Sequence, residues 1–281
     1  MAKKALTTGG FDALDAELKE EDAGFNPRPV TVKINHQSAE FEIPGVPAVD
    51  DLEAVIIAAQ KCRVFFPKMG TDALTDELSA FTGKQPFCSS QDYVHGKLAD
   101  VDWDNKPPTS AEGLKDKIAE GGLFCGQCPL NKWESVTLLG RTGRGKACDD
   151  RRRLCLWKEG WNVPVILGVS PSSIRSWDEY CSSLVIGGYR SYHAVTRLTL
   201  ETVTAPNRKY AVIKFKFKNP ITAEMQTELM SKVTMRGEEQ TLIKALVDIF
   251  NRRELVEDEE YPENGNGTKV APDADNLGED F

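Results

Sequence analysis

Seven cysteines are the residues of this chain best suited to chemistry, and their spacing carries information. Cys125 and Cys128 form CGQCP, in which Gly126 lets the backbone fold round a ligand and Pro129 keeps the chain from extending into a strand. Two thiolates at this spacing reach one metal without strain. Cys148, in GRGKAC, follows after 19 intervening residues, and Cys155 after six more. Four thiolates suit a tetrahedral structural zinc site. Two residues compete for the remaining ligand position. Cys88 lies in the turn-rich PFCSSQDY, where a ligand is freely presented; Cys155 lies in RRRLCLW, where a cysteine inside a strand is often only a small core residue. The expected set is Cys88, Cys125, Cys128 and Cys148, with Cys155 as the substitute for Cys88. Four cysteines serve an iron–sulfur cluster equally well, and unliganded thiols are the third reading. Cys62 and Cys181 read as core.

Candidates for catalysis are few. The chain has three histidines, His36, His95 and His193, which leaves most acid–base and triad mechanisms short of a partner. GRTGRGKACDD resembles a phosphate-binding loop but departs from GxxxxGK[ST], because Ala147 follows Lys146 where a magnesium-binding hydroxyl belongs. An all-cysteine site offers no open position and no carboxylate base for a zinc hydrolase. The expectation is a non-enzymatic protein.

Charge is distributed unevenly. The chain carries 35 Lys and Arg against 43 Asp and Glu, a net of −8. Residues 254–281 hold ten acids and only Lys269 as a base, so the rest has 34 basic and 33 acidic groups, a net of +1. Within that body, Lys132 to Lys158 has eight bases against three acids, and Thr204 to Lys218 five against none. Cations interleaved with exposed aromatics suit single-stranded nucleic acid, since the cations follow phosphates and the rings stack on unpaired bases. The candidates are Lys132, Trp133, Arg141, Arg144, Lys146, Arg151, Arg152, Arg153 and Trp161 around the cysteines, with Tyr189, Arg190, Tyr192, Lys214 and Lys216 on later elements. The two stretches are expected to line one positive groove.

The elements that must position these residues can be read in order. Residues 1–28 read as a flexible arm. Val30 to Ile34 and Phe41 to Ile43 read as a hairpin. Val49 to Cys62 reads as a helix with Leu52, Val55, Ile56 and Ala59 on one face, and Thr71 to Ala80 as a second, short one. Phe81 to Lys106 reads as loop. Lys132 to Leu139, Arg152 to Trp157 and Val163 to Val169 read as strands, followed by a helix capped at Ser170 or Ser172 and running to about Ile186. His193 to Val203 and Tyr210 to Lys218 read as strands, the latter with Ile213, Phe215 and Phe217 alternating against Lys214, Lys216 and Lys218. Helices over about Ala223 to Lys232 and Glu239 to Arg252 close the body. Strong strands with one helix inserted before the fourth imply a mainly β, α+β fold, an OB-type barrel over residues 29–253 with a zinc knuckle and flanking helices. Residues 254–281, rich in Pro, Gly and acid, read as a disordered tail. Apolar stretches are far shorter than the roughly 20 residues a membrane span needs. The N-terminal residues lack an apolar signal core, which points to a reducing cytoplasm and no membrane partner.

FCGQCPLNKW, GRGKACDDRRRL and the upstream PFCSS resemble segments of single-stranded-DNA-binding and uncharacterised proteins of tailed bacteriophages and mobile elements, over roughly Pro86 to Leu200. The acidic tail, with Glu279 and Asp280 before Phe281, is similar to tails of bacterial and phage single-stranded DNA-binding proteins. That resemblance implies an OB-fold, host-cytoplasmic action in DNA replication or recombination, and a tail that recruits partner proteins through Glu279, Asp280 and Phe281 and competes with DNA. Those proteins usually lack this cysteine cluster. The second reading is a zinc-dependent adaptor or transcription regulator that binds protein through the same basic surface. Homo-oligomerisation is open in both.

Overall fold

One long strand organises the molecule. The computed structural model describes residues 30–66, 81–82, 85–105, 109–139, 144–161, 164–205 and 208–234. The expected arm (1–28), the helices at Thr71 to Ala80 and Glu239 to Arg252, and the acidic tail (254–281) lie outside the described residues. So do Arg141, Glu279, Asp280 and Phe281.

The chain begins with the hairpin β1 (Val30–Asn35) and β2 (Glu40–Glu42), then runs through β3 (Asp51–Phe65). Two short strands, β4 (Cys88–Ser90) and β5 (Lys97–Leu98), precede helix α1 (Thr109–Glu120) and two 3-10 turns, Pro129–Asn131 and Ser135–Leu139. There follow β6 (Asp149–Trp157), β7 (Val165–Val169), α2 (Pro171–Ile186), β8 (Ala194–Ala205), β9 (Arg208–Pro220) and α3 (Ala223–Thr234). They build a mixed nine-stranded sheet in the order β2-β1-β7-β6-β3-β4-β5, with β8 also on β3 and β9 on β8. The fold is therefore mainly β with a few helices. Among the described residues, strand pairing does not close it into a barrel.

β3 is shared between two parts of the sheet. One edge pairs with β6 over Val55 to Val64, with a bulge between Ile56 and Ala58. The other pairs with β8 over Asp51 to Val55 and with β4 over Arg63 to Phe65. The sequence pattern pointed to a helix over Val49 to Cys62, and the difference has a packing cause. Ala54 to Ile57 are buried on both faces, with Leu52, Ala54 and Ile56 packed in the core under α2 and Val55 and Ile57 in the one under α3. A strand buried on both sides shows no alternation, and the surrounding alanines mimic helix propensity.

The main core lies between the sheet and α2. Leu154, Leu156, Leu167, Leu198 and Ile213 meet Trp177, Tyr180 and Leu184 of the helix. On the other face Val55, Ile57, Cys155, Trp157 and Ile166 meet Met225 and Leu229 of α3 and the preceding Ile221. The outer edge of β9 is covered by side chains: Ile213 N–H donates to Ser173 Oγ at 3.0 Å and Ala211 N–H to His36 Nδ1 at 3.1 Å. These bonds bridge β9 to α2 and to the β1–β2 turn where a closed barrel would have a strand.

A smaller core lies beyond the far end of β3. Phe65, Phe87, Leu114, Ile118, Leu130 and Leu139 are buried together, with Trp103 and Phe81 edge-on to one another at 5.1 Å. Three local expectations are corrected here. Lys132 to Leu139 is not a strand but turns, because Pro129 and the Ser135–Leu130 hydrogen bond (2.7 Å) hold it curled. Phe81 to Lys106 contains β4 and β5 rather than loop alone, and α1 was not foreseen, its polar sequence including Leu114 and Ile118 as buried apolar positions. Among the described residues no helix is long and apolar enough to cross a membrane.

Candidate functional site

The smaller lobe gathers the cysteines. Cys88 stands at the start of β4, opposite Phe65 of β3 and Leu98 of β5. Cys125 and Cys128 follow α1 in a tight turn, and Cys148 immediately precedes β6. All four line one cavity of about 20 Å³, together with Phe65, Gly96, Ile118, Leu123, Leu130 and Asn131. Cys155, the substitute ligand, does not: it is buried on the far side of β6 among Val55, Trp157 and Ile166. Among the described residues no group of three or more His, Cys, Asp and Glu is arranged to hold a metal ion as the side chains stand.

Backbone hydrogen bonds fix the cysteine turn. Cys125 N–H donates to Val94 O (2.7 Å), Cys128 N–H to Phe124 O (2.9 Å) and Cys148 N–H to Leu130 O (3.0 Å). Asn131 Nδ2 donates to Cys125 O at 2.7 Å. Ser135 joins the halves of the lobe, its hydroxyl donating to Leu130 O and accepting from Ala147 N–H at 2.8 Å. Gly121 permits a close approach, because a Cβ there would lie 3.2 Å from the Gln127 carbonyl carbon and 3.3 Å from Cys128 N.

Burial, then the neighbouring Cys128 and Cys125, push the Cys88 thiol up to about 12. Burial chiefly drives Cys148 well above its usual range, with Cys88 and Cys125 adding to it, and Cys128 is also raised. The thiols are thus near enough to feel one another's charge. Raised in this way, Cys88, Cys128 and Cys148 carry protons at neutral pH as free groups, and ligation would release them.

A cation pair flanks the cysteines, and Arg63 within it was not singled out from the sequence. Arg63 is buried, donates from Nε to Asp150 Oδ1 (2.8 Å) and from Nη1 to Tyr93 O (3.0 Å), and lies 3.5 Å from the centre of the Tyr93 ring. Burial opposes its charge, but Asp150 and Tyr93 more than offset it, and the guanidinium stays charged. Lys146 approaches the same carboxylate at 3.4 Å. Arg63 follows Gln60 and Lys61 in QKCRVF and reads as an ordinary surface cation, so only the fold reveals its burial.

The proposed basic surface divides. Lys132 and Arg144 are exposed, and Trp133 is 62% exposed on the same turn as Lys132. Val136 N–H donates to Gly145 O, which brings the Lys132–Trp133 turn towards Arg144 and Lys146. Arg152 and Arg153, at 9% and 2% exposure, are buried in the sheet. They are corrected from surface cations to sheet residues, Arg153 reaching Gln60 Oε1. Arg151 is half-buried over the Phe66 ring. Trp161 and Tyr189 also pack rather than project: Trp161 lies against both main cores and Tyr189 against Phe217 at 5.1 Å. Tyr192 and Arg190 are exposed, Tyr192 edge-on to His193.

On β9 the alternation holds, with Lys214, Lys216 and Lys218 outward. Lys214 pairs with Glu201 at 3.0 Å and Lys218 with Glu53, while the cross-strand neighbour of Lys216, Arg197, pairs with Asp51. This face is a charge ladder more than a cationic strip. The β8–β9 tip and the cysteine lobe also lie at opposite ends of β3, so the two basic stretches do not line one groove side by side. Val55 to Phe65 alone spans roughly 30 Å at about 3.3 Å per residue.

Fold and site together define a mainly β protein carrying a cysteine-lined lobe with an exposed tryptophan and cations at its rim. No family model, curated protein or solved structure matches the chain.

Proposed function

We propose that this chain is a non-catalytic single-stranded DNA-binding protein acting in phage DNA replication or recombination, built on an OB-type core. The observation that carries the reading is Trp133, a large aromatic left in solvent beside Lys132 and next to the Arg144–Lys146 turn. A ring without a core role, flanked by cations, suits stacking on unpaired bases while the cations follow phosphates.

The strand order supports the OB-type reading. β3, β6, β7, β8 and β9 pair as first with second, second with third, first with fourth and fourth with fifth, and α2 enters before the fourth. The closing pair of third and fifth strands is left open. In such barrels the loops between strands one and two and between four and five bound the oligonucleotide site. Here those connections are the segment that carries the cysteines, Lys132 and Trp133, and the β8–β9 tip. Their separation favours two arms clasping a strand, while Lys216, Arg190 and Tyr192 lie towards the other end of the β8–β9 hairpin from its tip. α3 covers part of the outer face of β6 and β7, so binding falls to the connections. The acidic residues 254–281 would compete for the cations, and Glu279, Asp280 and Phe281 would engage partner proteins in the host cytoplasm.

Titration of fluorescent oligo-dT and a matched duplex at two salt concentrations tests this. Tight, salt-sensitive binding that prefers the single strand is expected. No binding, with and without residues 254–281, would sink the reading and favour a protein-binding adaptor.

A further inference from the structure

We infer that Cys88, Cys125, Cys128 and Cys148 hold a single structural zinc ion that fastens the small lobe to the sheet. The inference does not depend on DNA binding. Its basis is the convergence of four thiols from three distant segments on one cavity otherwise lined by Phe65, Gly96, Ile118, Leu123, Leu130 and Asn131, whose Nδ2 donates to the Cys125 carbonyl and whose Oδ1 finds no partner among the described residues. A cavity of about 20 Å³ has room for about one water, but a buried water wants two to four good polar partners. Thiols are weak ones. Soft sulfur donors instead select zinc, copper(I) or iron–sulfur centres. One ion suits the cavity, and four sulfurs match the tetrahedral preference of zinc.

The lobe also needs such a fastening. Its own core is small, and its parts are two short strands, one helix and two 3-10 turns. Segments this small gain independent stability from a metal or a disulfide. The four positions tie β4, the turn after α1 and the start of β6, and Cys88 and Cys148 are 60 residues apart in the chain. The close approach of Gly96 to Cys88 Sγ, where a Cβ would lie at 3.1 Å, holds the β4–β5 turn against the cavity. Binding exchanges thiol protons for metal: up to four protons leave as four Zn–S bonds form, with no change in oxidation state.

Metal analysis of the full chain, purified without chelator, should find one zinc per chain. Replacement by cobalt(II) should give the visible bands of a tetrahedral tetrathiolate site. Cys88→Ser and Cys148→Ser should lose those bands, and Cys155→Ser should keep them. Absence of stoichiometric metal, retention of the bands in Cys148→Ser, their loss in Cys155→Ser, iron with sulfide in place of zinc, or disulfides among the four in a non-reducing peptide map would each overturn the assignment. Should the serine variants not fold, thiol alkylation of the unaltered protein decides. Chelation should increase labelling at these four positions, and unchanged labelling would overturn the site.

Discussion

Trp133 separates packing from function at the level of one residue. Exposed as it is, it contributes little to the core, so Trp133→Ala should change stability by no more than about 0.5 kcal/mol. A base stacked on an aromatic is worth about 1–3 kcal/mol, so the same variant should weaken oligo-dT binding about fivefold or more in a fluorescence titration. Equal affinity would remove Trp133 from the interface. Asp92 offers a test that ignores ligands. Burial would raise its carboxyl, but hydrogen bonds from His95 N–H (2.7 Å), the His95 ring (2.5 Å), Val94 N–H (2.8 Å) and Ser90 (3.2 Å) hold it at about 2. A carboxyl lowered by folding adds stability above its unfolded pKa, near 3.8, and loses that contribution as pH falls through its folded value. Its side-chain carbon shift in NMR should stay flat from pH 6 to 4, and in His95→Ala a step should enter that window. Residue types alone pointed to the four cysteines that share the cavity, because chemistry and spacing are local. They failed at Arg152 and Arg153, where three consecutive arginines suggest a surface and only the sheet register buries two of them.

Among elements, the outer edge of β9 is covered by side chains rather than by another strand. Ser173, wholly buried, accepts from Ile213 N–H across to α2. Ser173→Ala leaves that amide unpaired, at a cost of about 1–3 kcal/mol. Urea denaturation should register the loss, and exchange of the Ile213 amide should accelerate; an unchanged midpoint would mean that the bond contributes nothing. A second buried pair, Tyr180 Oη with Thr196 Oγ1 at 2.6 Å, ties α2 to β8. Burial raises the Tyr180 phenol pKa, so the group stays neutral. A double-mutant cycle of Tyr180→Phe and Thr196→Val should return a coupling of about 1 kcal/mol, whereas additivity would show that the two groups act separately. How far elements could be read follows from their surroundings. α2, β8 and β9 show clear periodicity because each has one buried and one wet side, and the sequence pattern placed them within a few residues. β3 lost its pattern by being covered on both faces. The 3-10 turns and α1 depend on contacts within the small lobe and leave little periodic signal.

At the scale of the whole molecule, charge separation is the feature that sequence arithmetic exposes best. Ending the chain after Arg253 changes the net charge from −8 to +1, since ten acids and one base are removed. If DNA binds at the cationic rim, the acidic segment would be a competitor carried on the same chain as the site. The shortened protein should therefore bind oligo-dT several-fold more tightly at low salt. Screening shortens the reach of charges from about 30 Å at 0.01 M salt to about 8 Å at 0.15 M, so the advantage should shrink as salt is raised while both forms weaken. Equal affinity of the two forms at low salt would mean that the acidic residues do not meet the cations. A constant ratio across salt would mean that shortening acts through something other than charge. Only a ratio that falls with salt joins the acidic segment to the basic rim.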